Sequence, residues 1–270
     1  MFARIGRDGK FGYSQQMSDP ALLGAMQRFY DAVARRSPGQ SFLNYGFDDL
    51  DGPGRQATEG DLMSTCRRLY EAVLLPFPVD TGRIVEVGCG RGGGAHFLLG
   101  PRPGLRYLGL DLSAEHVTMS RDRFAARAGT HFAQADASFL PALEGRFDAA
   151  YSIEAAQHFQ DADRFYREVG RLLRPGGSFL LASLWQPALE PLEGFRSAGL
   201  RIVERRDITA NVVGSLGRTS GLREELVDSL NLPERFRPLL LSWAGVRGTA
   251  SYDCLANGSL VYLTYRLVRD

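Results

Sequence analysis

The residues best suited to chemistry in this chain begin in a glycine-rich stretch from Arg83 to Gly94, R-I-V-E-V-G-C-G-R-G-G-G. Its apolar first half is typical of a buried strand. Gly88 and Gly90 then let the backbone approach a ligand where a Cβ atom would clash. Glu86 is an acid inside the apolar strand, and a buried carboxylate is costly unless it is paired. We therefore expect a cationic or amine-bearing ligand beside Glu86.

Three further acids follow predicted strands along the chain. Asp111 lies 21 residues beyond Gly90, an offset that suits a carboxylate accepting both hydroxyls of a ribose. Asp136, in A-Q-A-D-A-S, could accept from the amino group of an adenine, and Glu154 ends S-I-E. Asp111 alone also suits a helix cap, and Asp136 alone suits a helix cap or a turn. The glycines alone also fit a dinucleotide fingerprint or a plain tight turn. Together, these strand-end features favour one shared site.

The elements that must position these residues alternate between strand and helix from Arg83 onward, which predicts an α/β fold with a mostly parallel sheet and helices on both faces. The predicted strands cover residues 83–88, 105–110, 130–135, 147–153, 178–184, 200–207 and 259–268. The predicted helices cover residues 92–99, 113–128, 161–173 and 188–197, with a stop at Pro175-Gly176-Gly177 before the fifth strand. Ligands of such sheets bind at the carboxyl ends of the strands.

Two segments outside this alternation are predicted to cover the site. Residues 1–80 form an N-terminal helical cap, with one helix starting at Asp19-Pro20 and a second that carries Leu62 and Val73 on one face and ends before Pro76. Residues 81–270 form the main domain. An insertion at about 208–258 has helical apolar patterning, and an insertion of that length is usually functional, so we interpret it as a helical lid.

Composition excludes several classes of function. The formal net charge of +1 gives no electrostatic case for binding nucleic acid. No stretch approaches the roughly 20 apolar residues of a membrane span, and the N-terminus has no signal-peptide pattern. Cys66, Cys89 and Cys254 lie far apart, without the spacing of metal ligands. We therefore expect a cytoplasmic protein with no metal site.

As a set, these motifs resemble the class I S-adenosylmethionine-dependent methyltransferases. The resemblance is carried by V-E-V-G-C-G-R-G-G-G, D-L-S, A-D-A and L-R-P-G-G-S in the expected order. F-L-N-Y-G-F and Y-S-I-E-A-A-Q-H-F are similar to segments of bacterial O-methyltransferases that act on lipids and polyketides, such as the phthiotriol dimycocerosate and fatty-acid O-methyltransferases. The family implies a Rossmann-like, seven-stranded sheet of order 3-2-1-4-5-7-6 whose seventh strand is antiparallel.

The resemblance also implies roles for individual residues around the cofactor S-adenosylmethionine and its product S-adenosylhomocysteine. Glu86 and Tyr45 would lie at the methionine end, with Gly88 and Gly90 against the cofactor's backbone. Asp111 would hold the ribose. The residues that would border the adenine are Leu112, Asp136 and Ala137.

A methyl acceptor with a hydroxyl group calls for a general base, for which histidine is the usual choice. Of the four histidines, His96, His116 and His131 have no partner that the sequence identifies. His158 alone follows the fourth strand's carboxyl end, and in a helical turn it would share a face with Glu154. We predict that His158 is the general base and that Glu154 orients its ring or contacts the cofactor's amino group. A helix-cap histidine is the alternative.

The sequence leaves the acceptor open. The apolar residues of the cap and insertion favour an apolar small molecule, and the aromatic candidates Trp185, Trp243 and Tyr252 also suit plain packing. A nicotinamide-dependent oxidoreductase could use the same glycine loop. A third possibility keeps the fold and cofactor without methylation, as a binding protein or a cyclase assisted by the sulfonium. A homodimer is possible.

Overall fold

The structure is a computed structural model. It describes residues 42, 44–50, 58–140, 144–159, 161–231 and 233–270. The predicted helix that starts at Asp19-Pro20 lies outside the described residues.

The described residues build a seven-stranded sheet of order β3-β2-β1-β4-β5-β7-β6, as the family resemblance implied. Strand β7 is antiparallel to both of its neighbours, and the other pairs are parallel. The strands are β1 (Gly82–Val87), β2 (Leu105–Asp111), β3 (Thr130–Gln134), β4 (Phe147–Ile153), β5 (Leu173–Trp185), β6 (Leu200–Asp207) and β7 (Val261–Arg269).

Helices cover both faces of this sheet. In the described part of the chain they are α1 (Glu59–Leu74), α2 (Gly93–Leu99), α3 (Ala114–Arg123), α4 (Ala162–Leu172), α5 (Leu192–Ser197), α6 (Thr209–Arg218), α7 (Ser220–Ser229), α8 (Arg237–Trp243) and α9 (Ala250–Ala256). Helices α6 to α9 form the predicted helical insertion between β6 and β7. Helix α1 is the second helix predicted for the N-terminal cap. The domain boundaries themselves stay a prediction.

The two-residue period of the strands divides the core into two clusters, one on each face. On β1, Ile84 packs with α1, α2, α6 and α9, whereas its neighbour Val85 packs with α4 and α5. Glu86 therefore points to the same face as Ile84, toward α1 and α2. This alternation decides which strand-end side chains can reach the opening between the helices.

Three predicted boundaries were wrong for local reasons. Strand β5 begins at Leu173, directly after α4, because Pro175-Gly176-Gly177 forms an irregularity within the β4–β5 pairing rather than a turn before the strand. Helix α3 ends at Arg123, not at 128. The helix predicted over 188–197 is a 3-10 turn (Pro187–Leu189) and α5, with Pro191 between them.

The N-terminal loop 44–50 connects the cap to the insertion. The Phe47 N–H donates to the Thr65 carbonyl of α1 at 2.9 Å, and the Asp48 N–H donates to the Asn211 carbonyl of α6 at 3.1 Å. The buried Asp48 carboxylate also pairs with Arg218 at 2.6 Å. The loop is thereby held between α1 and α6, over the carboxyl ends of the central strands.

Among the residues described, none of the helices combines the length and the apolar character that crossing a bilayer would require. The same residues hold no cluster of three or more potential metal ligands.

Replacing Gly170 by alanine is expected to destabilise the protein by disturbing the packing of α4 against the residue that follows α5. A Cβ atom at this position of α4 would overlap the Ala198 carbonyl oxygen, which is backbone and has little room to move. Overpacking of this kind costs about 1–3 kcal/mol. Gly221 is the matched control, because a Cβ atom in its place meets nothing within 4 Å. Thermal unfolding should show a lower Tm for Gly170→Ala only; equal Tm values would contradict this packing.

Candidate active site

A cavity of about 600 Å³ lies at the carboxyl ends of the central strands, between the N-terminal loop and the insertion. The structure brings nine of the ten predicted site residues to its wall. They are Tyr45, Gly88, Gly90, Asp111, Leu112, Asp136, Ala137, Glu154 and His158. Glu86 is not among the residues that line it. These nine residues therefore share one cavity, and their roles stay predictions.

The Asp111 carboxylate is held in place by backbone donors from two segments. Its Oδ2 accepts the Gly90 N–H at 2.7 Å, and its Oδ1 accepts the Ser113 N–H at 2.9 Å. Ser113 itself caps α3, because its hydroxyl accepts the His116 N–H at 3.1 Å. Asp111 thus joins the glycine turn after β1 to the turn after β2, with an acidic group on the cavity wall.

His116 is a site residue that the sequence analysis missed. It is buried, it lines the cavity, and its Nδ1 lies 3.4 Å from the Asp111 Oδ1. The available signal was its position in the first turn of α3, where the chain folds back toward the end of β2. A histidine there can orient the carboxylate that the cavity presents.

Asp136 lines the cavity and also makes a hydrogen bond typical of a turn residue. It is exposed, and its Oδ1 accepts the Ser138 N–H at 2.7 Å. Ala137, next to it, is buried against the apolar core. Leu112 follows β2 beside the end of β3, and its carbonyl accepts from the Gln134 side chain at 3.0 Å. These residues form a part of the cavity wall, after β2 and β3, that is both polar and apolar.

The glycine turn meets two different steric demands. Gly88 has φ +77°, and a Cβ atom there would overlap the Ala155 side chain. Gly90 has φ +50°, and a Cβ atom there would project into open space. The first glycine allows the turn to pack beneath the segment after β4. The second leaves the cavity side of the loop bare, as close approach of a ligand requires.

Glu86 has different neighbours from those expected. Its carboxylate is fully buried and accepts hydroxyl hydrogen bonds from Tyr151 at 2.9 Å, Tyr70 at 3.4 Å, and Tyr107. Strand alternation turns it toward α1 and α2, where Gly94 leaves room for it. Only Tyr70 of this cluster lines the cavity. Tyrosine hydroxyls therefore supply the hydrogen bonds of this carboxylate, Tyr70 connects Glu86 to the cavity wall, and a role of Glu86 toward the cofactor stays a prediction.

Burial raises the pKa of Glu86 to about 8, although the three tyrosine hydroxyls oppose the shift by stabilising the carboxylate. Burial likewise raises the pKa of Tyr70, with the charge of Glu86 adding to the effect. The cluster is thus neutral over much of the range below pH 8. The hydrogen bonds of this cluster connect α1, β1, β2 and β4 next to the glycine turn.

Glu154 stands at the end of β4 in a left-handed conformation, φ +54°, which is costly for a residue with a side chain. Its Oε1 accepts the Tyr45 N–H at 2.8 Å and the Tyr262 hydroxyl at 3.0 Å. Burial raises its pKa to about 7; these two donors and the charge of Arg223 oppose that rise. The sequence analysis missed Tyr262 and Arg223, which come from β7 and the insertion.

His158 follows Glu154 in a 3-10 turn (Ala156–His158) rather than in an α-helix. Its Nε2 lies 3.4 Å from the Gln157 amide, which also donates to the Glu154 carbonyl at 2.9 Å. Burial lowers the pKa of His158 to about 4. The ring is therefore neutral at pH 7 and able to accept a proton.

Comparison with known proteins now identifies the family. A sequence profile described as a methyltransferase domain matches residues 85–181, from β1 to β5. The chain is 33% identical over 235 residues to the fatty-acid O-methyltransferase of Mycolicibacterium smegmatis, covering 84% of this chain and 83% of that one. The chain belongs to the S-adenosylmethionine-dependent methyltransferases. Its cofactor is therefore S-adenosylmethionine, and the nicotinamide-dependent alternative was wrong.

Other relatives agree with this membership. The phthiotriol/phenolphthiotriol dimycocerosates methyltransferase of Mycobacterium tuberculosis is 33% identical over 240 residues, 85% of each chain. The [4+2]-cyclase SpnF superposes with a TM-score of 0.71 at 21% identity, over 90% of this chain and 94% of that one. A geranyl diphosphate methyltransferase in complex with S-adenosylmethionine superposes with a TM-score of 0.64 at 18% identity, over 86% and 100%. These two structures share the fold.

Glu86 is expected to make the free energy of unfolding fall as the pH rises. Its pKa is about 8 in the folded protein and near 4.5 when exposed, so the folded state holds the extra proton between these values. The stabilisation is complete below about pH 4.5 and is lost as the pH rises through 8. Glu86→Gln should remove this loss, on the order of a few kcal/mol.

The measurement is the free energy of unfolding in urea for the wild type and Glu86→Gln at several values between pH 5 and 8.5. Glu154 and His158 also titrate, but they are common to both proteins and cancel in the difference. The difference should favour the variant increasingly as the pH rises. Parallel curves would show that Glu86 keeps an ordinary pKa.

Proposed function

We propose that this methyltransferase transfers a methyl group to a hydroxyl on an apolar small molecule, a lipid or polyketide intermediate, with His158 taking the acceptor's proton. The observation that carries the proposal is the position of His158, neutral and on the cavity wall after β4, next to apolar side chains. It is the one histidine in the described residues that joins the cavity from this strand end.

The residues on the cavity wall suit the adenosyl cofactor. Gly90 leaves the loop bare for close approach, and Asp111 presents an oriented carboxylate to ribose hydroxyls. Leu112, Asp136 and Ala137 border the space proposed for the adenine. Glu154, with Tyr45 fixed against it, offers negative charge to the amino group of the methionine part.

The far wall of the cavity supports an apolar acceptor. It is lined by apolar side chains from β5, the following loop and the insertion, namely Leu184, Trp185, Leu189, Leu226, Trp243 and Leu260. Tyr252, the third aromatic candidate, does not line the cavity; the Arg247 guanidinium lies 5.8 Å from its ring centre. A wall of this kind excludes water and holds a hydrocarbon chain by burial of its surface.

When bound, S-adenosylmethionine supplies a methyl group that its sulfonium sulfur already activates. The chain must add alignment, exclusion of water and a proton acceptor. An attacking hydroxyl becomes strongly acidic as its oxygen bonds to carbon, so a neutral imidazole is a sufficient base even when its pKa is low. The hydrogen bonds of Gln157 to Glu154 and to Ser183 fix the turn that carries His158.

The names of the relatives support a lipid acceptor. They do not distinguish a hydroxyl oxygen from a carboxylate oxygen as the atom that receives the methyl group. A fatty-acid O-methyltransferase and the dimycocerosates methyltransferases are each about one-third identical to this chain. A carboxylate acceptor would need no base, whereas a hydroxyl acceptor would. The likeness to the cyclase SpnF over 90% of the chain supports a second candidate function, in which the cofactor binds without transferring its methyl group.

Replacing His158 by alanine is expected to reduce methyl transfer to a hydroxyl acceptor by a factor of about 10²–10⁴, the usual contribution of a general base. The assay follows labelled methyl from S-adenosylmethionine into a panel of long-chain alcohols, phenols and fatty acids. His131→Ala is the control, because His131 is exposed on β3 and does not line the cavity. Binding of S-adenosylhomocysteine should persist in both variants.

The panel separates the candidate functions. Transfer to alcohols or phenols that His158→Ala abolishes supports the proposed reaction. Transfer to fatty acids alone, unaffected by the substitution, would replace it with carboxylate methylation. A wild-type protein that binds S-adenosylhomocysteine and labels no acceptor would favour the non-methylating candidate.

A further inference from the structure

The insertion sends one arginine into the wall of the cavity. Arg223, on α7, is only 6% exposed and lines the cavity. Its guanidinium donates to the Thr219 hydroxyl at 2.8 Å, to the Ala244 carbonyl at 3.2 Å, and to the carbonyls of Asn44 and Tyr45 at 3.2 and 2.9 Å. All these acceptors are neutral. Within the described residues, no carboxylate forms an ion pair with this buried cation.

The acceptor group that matters most is the peptide between Asn44 and Tyr45. Its carbonyl accepts from Arg223, and its N–H donates to the Glu154 Oε1 at 2.8 Å. One peptide group therefore lies between a buried cation and a buried carboxylate, with its dipole aligned to both. Charge-assisted hydrogen bonds are about twice as strong as neutral ones, and burial strengthens them further.

Two further contacts hold the same loop to the insertion. The Ser215 hydroxyl donates to the Tyr45 carbonyl at 2.9 Å, and the Asn211 side chain donates to the Asp48 carbonyl at 2.8 Å. These contacts locate the loop. Arg223 alone among them adds a positive charge that acts on Glu154 through the peptide.

We propose that Arg223 is a positioning residue that acts from the insertion through the Asn44–Tyr45 peptide, favouring the ionised form of Glu154 and holding Tyr45 in place where the methionine part of the cofactor binds. This inference rests on the proposed roles of Tyr45 and Glu154. It makes the insertion part of the cofactor site as well as a wall for the acceptor.

The groups around Glu154 determine how the proposal depends on pH. They are the Tyr262 hydroxyl from β7, the Tyr45 N–H from the loop, Arg223 from α7, and the Cys66 thiol and Tyr70 hydroxyl from α1. Burial raises the pKa of Cys66 to about 11, so its thiol is neutral near pH 7, as is the phenol of Tyr70. Arg223 is the one cation in this group. Because its charge lowers the pKa of Glu154, its removal should raise that pKa.

The test is calorimetry of S-adenosylhomocysteine binding to the full chain and its Arg223→Met variant from pH 6 to 9. The ratio of the two dissociation constants cancels the ionisation of the ligand itself. We expect a ratio of about tenfold slightly above neutrality, where Glu154 is more ionised in the wild type than in the variant, and a smaller ratio at both ends of the range. A purely structural role would give a constant ratio.

Three variants complete the experiment. Arg223→Lys keeps the charge and should restore much of the wild-type pH profile, whereas Arg237→Met removes a half-buried arginine that pairs with Asp228 and Glu224, does not line the cavity, and should bind like the wild type. Glu154→Gln tests the proposed site itself. Normal binding by Glu154→Gln would overturn the role of Glu154. Weakened binding by Glu154→Gln, together with a constant or absent effect of Arg223→Met, would overturn the inference about Arg223 alone.

Discussion

The acidic side chains at this site need hydrogen-bond donors, and meeting this need brings together the elements that form the site. A carboxylate taken out of water is unstable unless hydrogen bonds or a cation replace its hydration. Glu86 is surrounded by tyrosine hydroxyls from α1, β2 and β4, and Glu154 by the Tyr45 loop and β7. Asp111 takes its donors from two turns. Each acid thereby joins elements that are distant in sequence.

The same constraint divides the cavity into two chemical ends. Glu154 is partly ionised near neutral pH, because its donors and Arg223 oppose the effect of burial. His158 has only burial acting on its pKa and stays neutral. A charged end suits the zwitterionic methionine part of the cofactor. A neutral end suits an acceptor whose proton must leave as the methyl group arrives.

Helices from outside the alternating core complete the site. The sheet and its turns provide the glycines and three of the strand-end acids, but Tyr45 comes from the N-terminal loop and Arg223 from the insertion. The loop is clamped between α1 and α6 by Phe47 and Asp48. The N-terminal loop and the insertion thus complete a cavity that the sheet alone leaves open, and both lie outside the alternating core.

Periodicity and glycine placement predicted the strands, a mostly parallel sheet and the edge where its strand-end acids meet, because a parallel sheet brings consecutive strand ends to one edge. The strand order followed from the family resemblance. The direction of Glu86 follows from the two-residue period of its strand, but its tyrosine partners do not. Tyr45 and Arg223 are 178 residues apart, and Glu154 and Tyr262 are 108 apart. Only the tertiary structure decided which donors meet each buried acid and how each pKa shifts, because burial and long-range contacts leave no periodic signal in the sequence.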